Sequence, residues 1–210
     1  MSNTQSKIRI LVADDHYVVR MGVTAMINNE PDMEVVGEAA NGSQVIELFE
    51  RHRPDVVLLD SRMPLKNGVQ AAQEILQRFG KTRIIMLTAF DGDEDIHKAF
   101  WAGAQGYVLK NDTEEQLIPA IRAVFAGEGW IPNEVNERLA QREKFEPLTP
   151  RELEVLQELT KGLANKQIAD LMNISPHTTK GHMKSILSKL HAADRTEAVM
   201  VAIRRGLIHV

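Results

Sequence analysis

From residue 8 to about residue 125, short apolar runs alternate with amphipathic stretches. The runs fall at 8–13, 35–39, 56–59, 84–87 and 107–109, are rich in Val, Ile and Leu, and show almost no polar alternation. Strands covered on both faces read this way, which means a parallel sheet packed between helices. Helical patterns occupy the intervals, at roughly 17–28, 43–52, 68–79, 93–103 and 113–126. Strand and helix alternating five times predict right-handed crossovers and an α/β, doubly wound, five-stranded parallel sheet. Ligands bind such sheets beyond the carboxyl ends of the strands, so chemistry is to be sought there.

After residue 125 the pattern changes. Gly127-Glu128-Gly129-Trp130-Ile131-Pro132 reads as a break, a charged helical segment follows from about 133 to 144, and Pro147 closes it. Residues 1–126 are therefore read as the first domain and 127–147 as a linker. From Leu148 onward only helix signals remain. Thr149-Pro150-Arg151-Glu152 is a capping box with proline at the first helical position, and Ser175-Pro176 repeats the start. Asp194 opens a third cap, and Gly206 marks a stop. Helices are predicted over about 150–161, 165–172, 176–190 and 195–205, giving a small all-α, four-helix domain over 148–210.

Charge sharpens this division. Residues 1–147 carry 16 Lys and Arg against 23 Asp and Glu, whereas 148–210 carry 9 against 6 and hold four of the histidines. The acidic part repels nucleic acid and the small basic part suits it. The chain has no cysteine, which excludes disulfide scaffolds and thiolate metal sites. No stretch approaches the ~20 apolar residues of a membrane-spanning helix, and the start lacks the apolar segment of a signal peptide. A soluble cytoplasmic protein with no membrane partner is expected.

Candidate chemistry collects at the predicted strand ends: Asp14 and Asp15 after the first, Asp60 at the third, Thr88 at the fourth and Lys110 after the fifth. Three carboxylates crowded on one rim repel one another, and a hard divalent cation relieves them; Mg2+ suits, because it takes a few carboxylates and keeps several waters. A carboxylate flanked by a hydroxyl and an ammonium can accept a phosphoryl group, since that transfer needs mainly positioning and charge neutralisation. Asp60 is read as the acceptor, with Thr88 and Lys110 holding the phosphoryl oxygens. Singly, each residue reads as a polar strand terminus. Jointly, with Met63-Pro64 and Asn67-Gly68 shaping the loop after Asp60, they read as a site.

The motifs VADDH at 12–16, LLDSRMPLKNG at 58–68, LTA at 87–89 and GYVLK at 106–110 resemble those of a flavodoxin-like receiver domain. The resemblance implies phosphorylation of Asp60 by a partner sensor histidine kinase. It also implies Asp15 as a direct Mg2+ ligand, Asp14 acting largely through water, and the carbonyl of Arg62 as a further ligand. Thr88 and Tyr107 match the family's switch pair, in which the hydroxyl moves to the phosphoryl group and the ring turns inward. Arg62 and Phe90, two residues beyond Asp60 and Thr88, fall where receivers vary in phosphoryl lifetime.

In the helical part, 165–190 reads as helix, turn, helix. Thr179, Lys180, Gly181 and Lys184 lie early on the second helix, where such helices meet bases. Spacing alone fits a plain bundle with solvated lysines equally well. The stretch LTPRELEVLQELTKGLANKQIADLMNIS, with TTKGHMKSILSKL and DRTEAV, resembles the LuxR-type helix-turn-helix domain of NarL/FixJ-family response regulators. That implies binding to double-stranded promoter DNA, with base contacts from Lys180 and Lys184 and phosphate contacts from Thr178, Thr179 and His182. It also implies a homodimer, when phosphorylated, through the last helix. Three positions depart from the family: Ala164 for a capping Ser, Thr179 for Val, and Gly181 within the recognition helix.

Two enzymatic or cofactor readings compete. Phosphatases that pass through an aspartyl phosphate usually carry a second Asp two residues on, where this chain has Arg62. A flavin module wants a phosphate-cradling loop after the first strand, where Asp14-Asp15 repels phosphate. A receiver-like protein that binds DNA independently of phosphorylation is the third alternative.

Overall fold

The computed structural model describes residues 6–89, 92–142 and 145–208. Five strands, β1 (Ile8–Ala13), β2 (Met33–Ala39), β3 (Val56–Asp60), β4 (Arg83–Thr88) and β5 (Gly106–Leu109), alternate with helices α1 (Tyr17–Asn28), α2 (Gly42–His52), α3 (Gly68–Phe79), α4 (Asp93–Trp101) and α5 (Thr113–Ala126). The strands form one parallel sheet in the order β2-β1-β3-β4-β5. β2 starts two residues before the expected run. Met33 is fully buried, but exposed Glu34 beside it breaks the apolar pattern.

Side chains alternate across the sheet with a period of two. One face, through Ile10, Val12, Leu58, Ile85 and Leu87, packs with Val23 and Ile27 of α1 and Leu117, Ile121 and Val124 of α5. The intervening residues Leu11, Val57, Leu59, Ile84 and Met86 are buried too, as doubly covered strands require. The chain adds β2 on one side of β1 and then returns to place β3 on the other. That reversal opens a crevice at the carboxyl ends of β1 and β3.

The segment 127–136, expected as linker, is attached to the sheet. Trp130 makes a parallel bridge with Gly106, accepting from the Tyr107 N–H at 2.9 Å and donating to the Gln105 carbonyl at 3.0 Å. α6 (Asn133–Arg142) then begins, with Val135 buried. The described residues divide into two compact units, one of residues 6–89 and 97–136, the other of 92–96, 137–142 and 145–208.

The second unit contains α7 (Pro150–Thr160), α8 (Asn165–Leu171), α9 (Pro176–Leu190) and α10 (Arg195–Arg204). Its core joins Val155, Leu156, Ile168, Met183, Ile186, Leu190, Ala198 and Ala202. The Thr149/Glu152 capping box is formed in full. No helix among the described residues is long and apolar enough to cross a membrane.

Candidate functional site

Strand register assembles the first site. Ala13 pairs with Leu59, Asp60 with Leu87, and Thr88 with Leu109. Asp14, Asp60, Thr88 and Lys110 thus emerge on one rim at the crevice. Gly68, at the start of α3, closes the loop after β3. Its N–H donates to the Ser61 carbonyl at 3.1 Å, and a Cβ there would collide with the Asp60 carbonyl oxygen. The loop can therefore fold tightly beneath Asp60 only because residue 68 has no side chain. Asn67 completes the turn by capping α3 reciprocally with Gln70.

Lys110 is the electrostatic centre. Its Nζ lies 2.6 Å from Asp14 Oδ2 and donates to Asp60 Oδ2 at 2.8 Å. The contact to Asp14 is an ion pair whose approach lies outside hydrogen-bond geometry. Both carboxylates are buried, at 1 % and 2 % exposed. Burial raises the Asp60 pKa above the ordinary carboxylate value; Lys110 opposes this and the nearby Asp14 adds to it. For Lys110, burial acts against the charge, yet its two carboxylates outweigh it and raise the ammonium's pKa. The two shifts agree, because the cation has two anions to pair with, while Asp60 shares one cation with a competitor.

Asp14, Asp15, His16 and Asp60 each bring one donor atom into a cluster whose atoms all lie within 4.8 Å of one another. Hard carboxylate oxygens at this separation suit a small divalent cation such as Mg2+. His16 Nδ1 is 2.8 Å from Asp15 Oδ1 and 3.4 Å from Asp14 Oδ1.

In the helical unit, α8, a turn through Asn173 (φ 53°), and α9 form a helix-turn-helix. Ser175 Oγ accepts from the Thr178 N–H at 3.0 Å and so caps α9. Thr178, Lys180, Gly181 and Lys184 are exposed and His182 half-buried along its outer side.

The description "Response regulator receiver domain" matches residues 10–122, and "Bacterial regulatory proteins, luxR family" matches residues 146–202. The chain belongs to the NarL/FixJ family of two-component response regulators. Across 97 % of its length this regulator is 40 % identical to the transcriptional regulatory protein YxjL of Bacillus subtilis (strain 168), 99 % of which is covered. It is 37 % identical to the response regulator ChrA of a heme-sensing two-component system, with a TM-score of 0.59 over 97 % of this chain and 100 % of that one. A response regulator RcsB–DNA complex is 25 % identical, with a TM-score of 0.71 over 95 % of this chain and 99 % of that one. The regulator carries a receiver and a LuxR-type DNA-binding domain, and its relatives are transcriptional regulators rather than enzymes in the usual sense.

Several expected residues sit differently from their sequence reading. Thr179 is fully buried and its hydroxyl donates back to the Ser175 carbonyl at 3.3 Å. It shares the inward face of α9 with Met183, Ile186 and Leu190, so it is a core residue and not a phosphate contact. The Tyr107 ring is already inward, 1 % exposed and stacked on Phe100 at 6.1 Å between centroids. The Arg62 N–H approaches Asp60 Oδ1 at 3.4 Å, while Phe90 lies outside the described residues. Sequence reasoning missed two members of the regulator's site. His16 directly follows the acidic pair, a signal that was present. Ser61 Oγ lies 2.6 Å from Thr88 Oγ1, a contact that only the β3–β4 register creates.

Proposed function

We propose that this regulator is a phosphorylation switch in which Asp60 accepts a phosphoryl group from a partner sensor histidine kinase. Modification favours a homodimer through the last helix and sequence-specific binding to double-stranded promoter DNA. The observation that carries the reading is the Lys110 ammonium joining buried Asp14 and Asp60 at the crevice of the sheet. A buried carboxylate held there is both nucleophile and anchor. Its oxygen forms the bond to phosphorus as the bond from phosphorus to the kinase's imidazole nitrogen breaks.

Lys110 then turns its charge to a phosphoryl oxygen, and the Thr88 hydroxyl donates to another. Asp15, Asp60 and the Arg62 carbonyl would hold Mg2+ directly and Asp14 largely through water, and the bound cation would supply the remaining charge neutralisation. Later hydrolysis, in which water takes the phosphoryl group and inorganic phosphate leaves, regenerates the Asp60 carboxylate and resets the switch. With Tyr107 already inward, Thr88 is the member of the switch pair that has to move.

The working boundaries are a receiver over 1–126, a linker over 127–147 and the DNA-binding domain over 148–210, in a cytoplasmic protein. On α9, Lys180 and Lys184 stand four residues apart, so both ammonium groups can reach one side of the helix towards guanine edges or phosphates. Exposed Thr178 and half-buried His182 flank them for phosphate contacts. Gly181 keeps the surface between the two lysines free of a side chain.

The test is intact mass after incubation with acetyl phosphate and Mg2+, beside an Asp60→Asn variant. A single phosphoryl adduct on the wild type alone is expected. Its absence from folded protein, with both acetyl phosphate and a phosphorylated histidine kinase as donors, would favour DNA binding independent of phosphorylation.

A further inference from the structure

Ser61 is the residue that follows the phosphoryl acceptor, and none of the motifs read from the sequence gives it a role. Its hydroxyl lies 2.6 Å from Thr88 Oγ1, towards the short end of the range for paired hydroxyls. Thr88 is fully buried, so its hydroxyl is shielded from solvent. A hydroxyl carries one proton to donate.

Ser61 itself is held in place. Its carbonyl accepts from the Gly68 N–H at 3.1 Å, and the Gly68 backbone is packed against Asp60 and Ser61 without space for a Cβ. The serine backbone therefore cannot shift to follow a threonine that turns towards a group on Asp60, which leaves only rotation of its side chain. An interaction made in one state and broken in the other lowers the population of the second by the strength of that interaction.

We infer that Ser61 is a latch on the switch: it holds the Thr88 hydroxyl in the unphosphorylated receiver and sets how strongly the phosphoryl group must pull. The inference rests on the phosphorylation reading above. It assigns Ser61 a positioning role, acting through Thr88. Of the two switch residues, Tyr107 is already in its inward place, so the Ser61–Thr88 bond bears on the residue that has to move. The opposite role can also be drawn for the same pair. If Ser61 donated to Thr88, the threonine proton would be directed onwards to the phosphoryl group, and Ser61 would favour switching. The pinned serine backbone argues for the latch, and the two roles predict effects of opposite sign.

The test uses the full chain as wild type, Ser61→Ala and Ser61→Thr, titrated with beryllofluoride at saturating Mg2+. Binding of this phosphoryl mimic is read by 19F nuclear magnetic resonance. Loss of one hydroxyl pair predicts a midpoint about three- to ten-fold lower for Ser61→Ala. Ser61→Thr keeps the hydroxyl and restores the wild-type midpoint. Mg2+ affinity, titrated without beryllofluoride, stays equal in all three, which separates release of Thr88 from damage to the acidic pocket. An unchanged or higher midpoint in Ser61→Ala overturns the latch while leaving the phosphorylation reading intact. A wild type that neither binds beryllofluoride nor forms the acetyl phosphate adduct removes both.

Discussion

Two buried carboxylates in this chain are shifted in opposite directions, and their neighbours explain why. Asp60 has one cation and a competing anion beside it, so burial prevails and its pKa rises. Glu152 is 4 % exposed, and burial pushes its pKa upward too. Its oxygens, however, accept from the Ser185 hydroxyl at 2.6 Å, the Thr149 N–H at 2.8 Å and Lys189 Nζ at 2.9 Å. Together these outweigh burial and lower its pKa to about 2. The cluster ties the first turn of α7 to the far half of α9, so it fixes the helix that carries Lys180 and Lys184. Glu152→Gln places an amide where Lys189 needs an anion and should cost about 2 kcal/mol, less than a fully enclosed pair because Lys189 can still donate to the Pro147 carbonyl. A folded pKa below the unfolded one means the unfolded chain binds more protons. The stabilisation is therefore fully present above about pH 4.3 and is lost as pH falls towards about 2. Urea unfolding at pH 7 and pH 3 should show the gap between wild type and variant narrowing at the lower pH. A gap of the same size at both would show that the Glu152 charge does not contribute.

The elements of the DNA-binding domain carry two local imperfections that can be repaired separately. Ala164 stands at the N-cap of α8 with no side-chain acceptor, and only the Gln167 half of the box is made, accepting from the Ala164 N–H at 2.8 Å. Ala164→Ser should stabilise the protein by about 1 kcal/mol, read as a higher urea midpoint with an unchanged slope. Gly181 lies inside α9, and a Cβ there would meet nothing within 4 Å. Gly181→Ala should therefore add about 0.5–1 kcal/mol from helix propensity alone. A destabilised Gly181→Ala protein would mean that the position needs more than helical backbone. These helices were legible in the sequence because their caps and apolar spacing are local signals. The strands were legible for a similar reason, since burial on both faces leaves unbroken Val, Ile and Leu runs. Asp14, Asp60, Thr88 and Lys110 followed, because a parallel sheet sends every strand end to the same rim. Ser61 and Thr179 did not follow. The first depends on which atoms β3 and β4 bring side by side. The second depends on a rotation of α9 that turns Thr179 inward with Met183, and a polar side chain hid that in the hydrophobic pattern.

For the whole molecule the question is how a change at Asp60 alters DNA affinity in a chain whose first 147 residues are acidic and whose last 63 are basic. The basic part binds phosphates through counterion release, so affinity at any one salt concentration mixes this background with the switch. Turning a largely inactive population into a largely active one takes about 5.5 kcal/mol of differential stabilisation. Charge-assisted hydrogen bonds from Thr88 and Lys110 to a phosphoryl group contribute about 1.5–3 kcal/mol each, and the Ser61–Thr88 bond has to be given up. The remainder must come from outside the pocket. In the proposed mechanism dimerisation would provide it, because the second recognition helix then binds at a high effective concentration once the first is seated. This makes the gain depend on DNA geometry. Acetyl phosphate should raise affinity by at least about ten-fold for two half-sites about one helical turn apart, 10–10.5 base pairs, at fixed salt. Inserting about half a turn between them should remove most of the gain. Thr88→Ala should still take the phosphoryl adduct by intact mass yet show little gain on either DNA, because the acceptor is intact and the mobile hydroxyl is gone. If that variant responded like the wild type, the signal would leave the pocket by a route that does not pass through Thr88, and a gain indifferent to half-site spacing would remove the dimer from the mechanism.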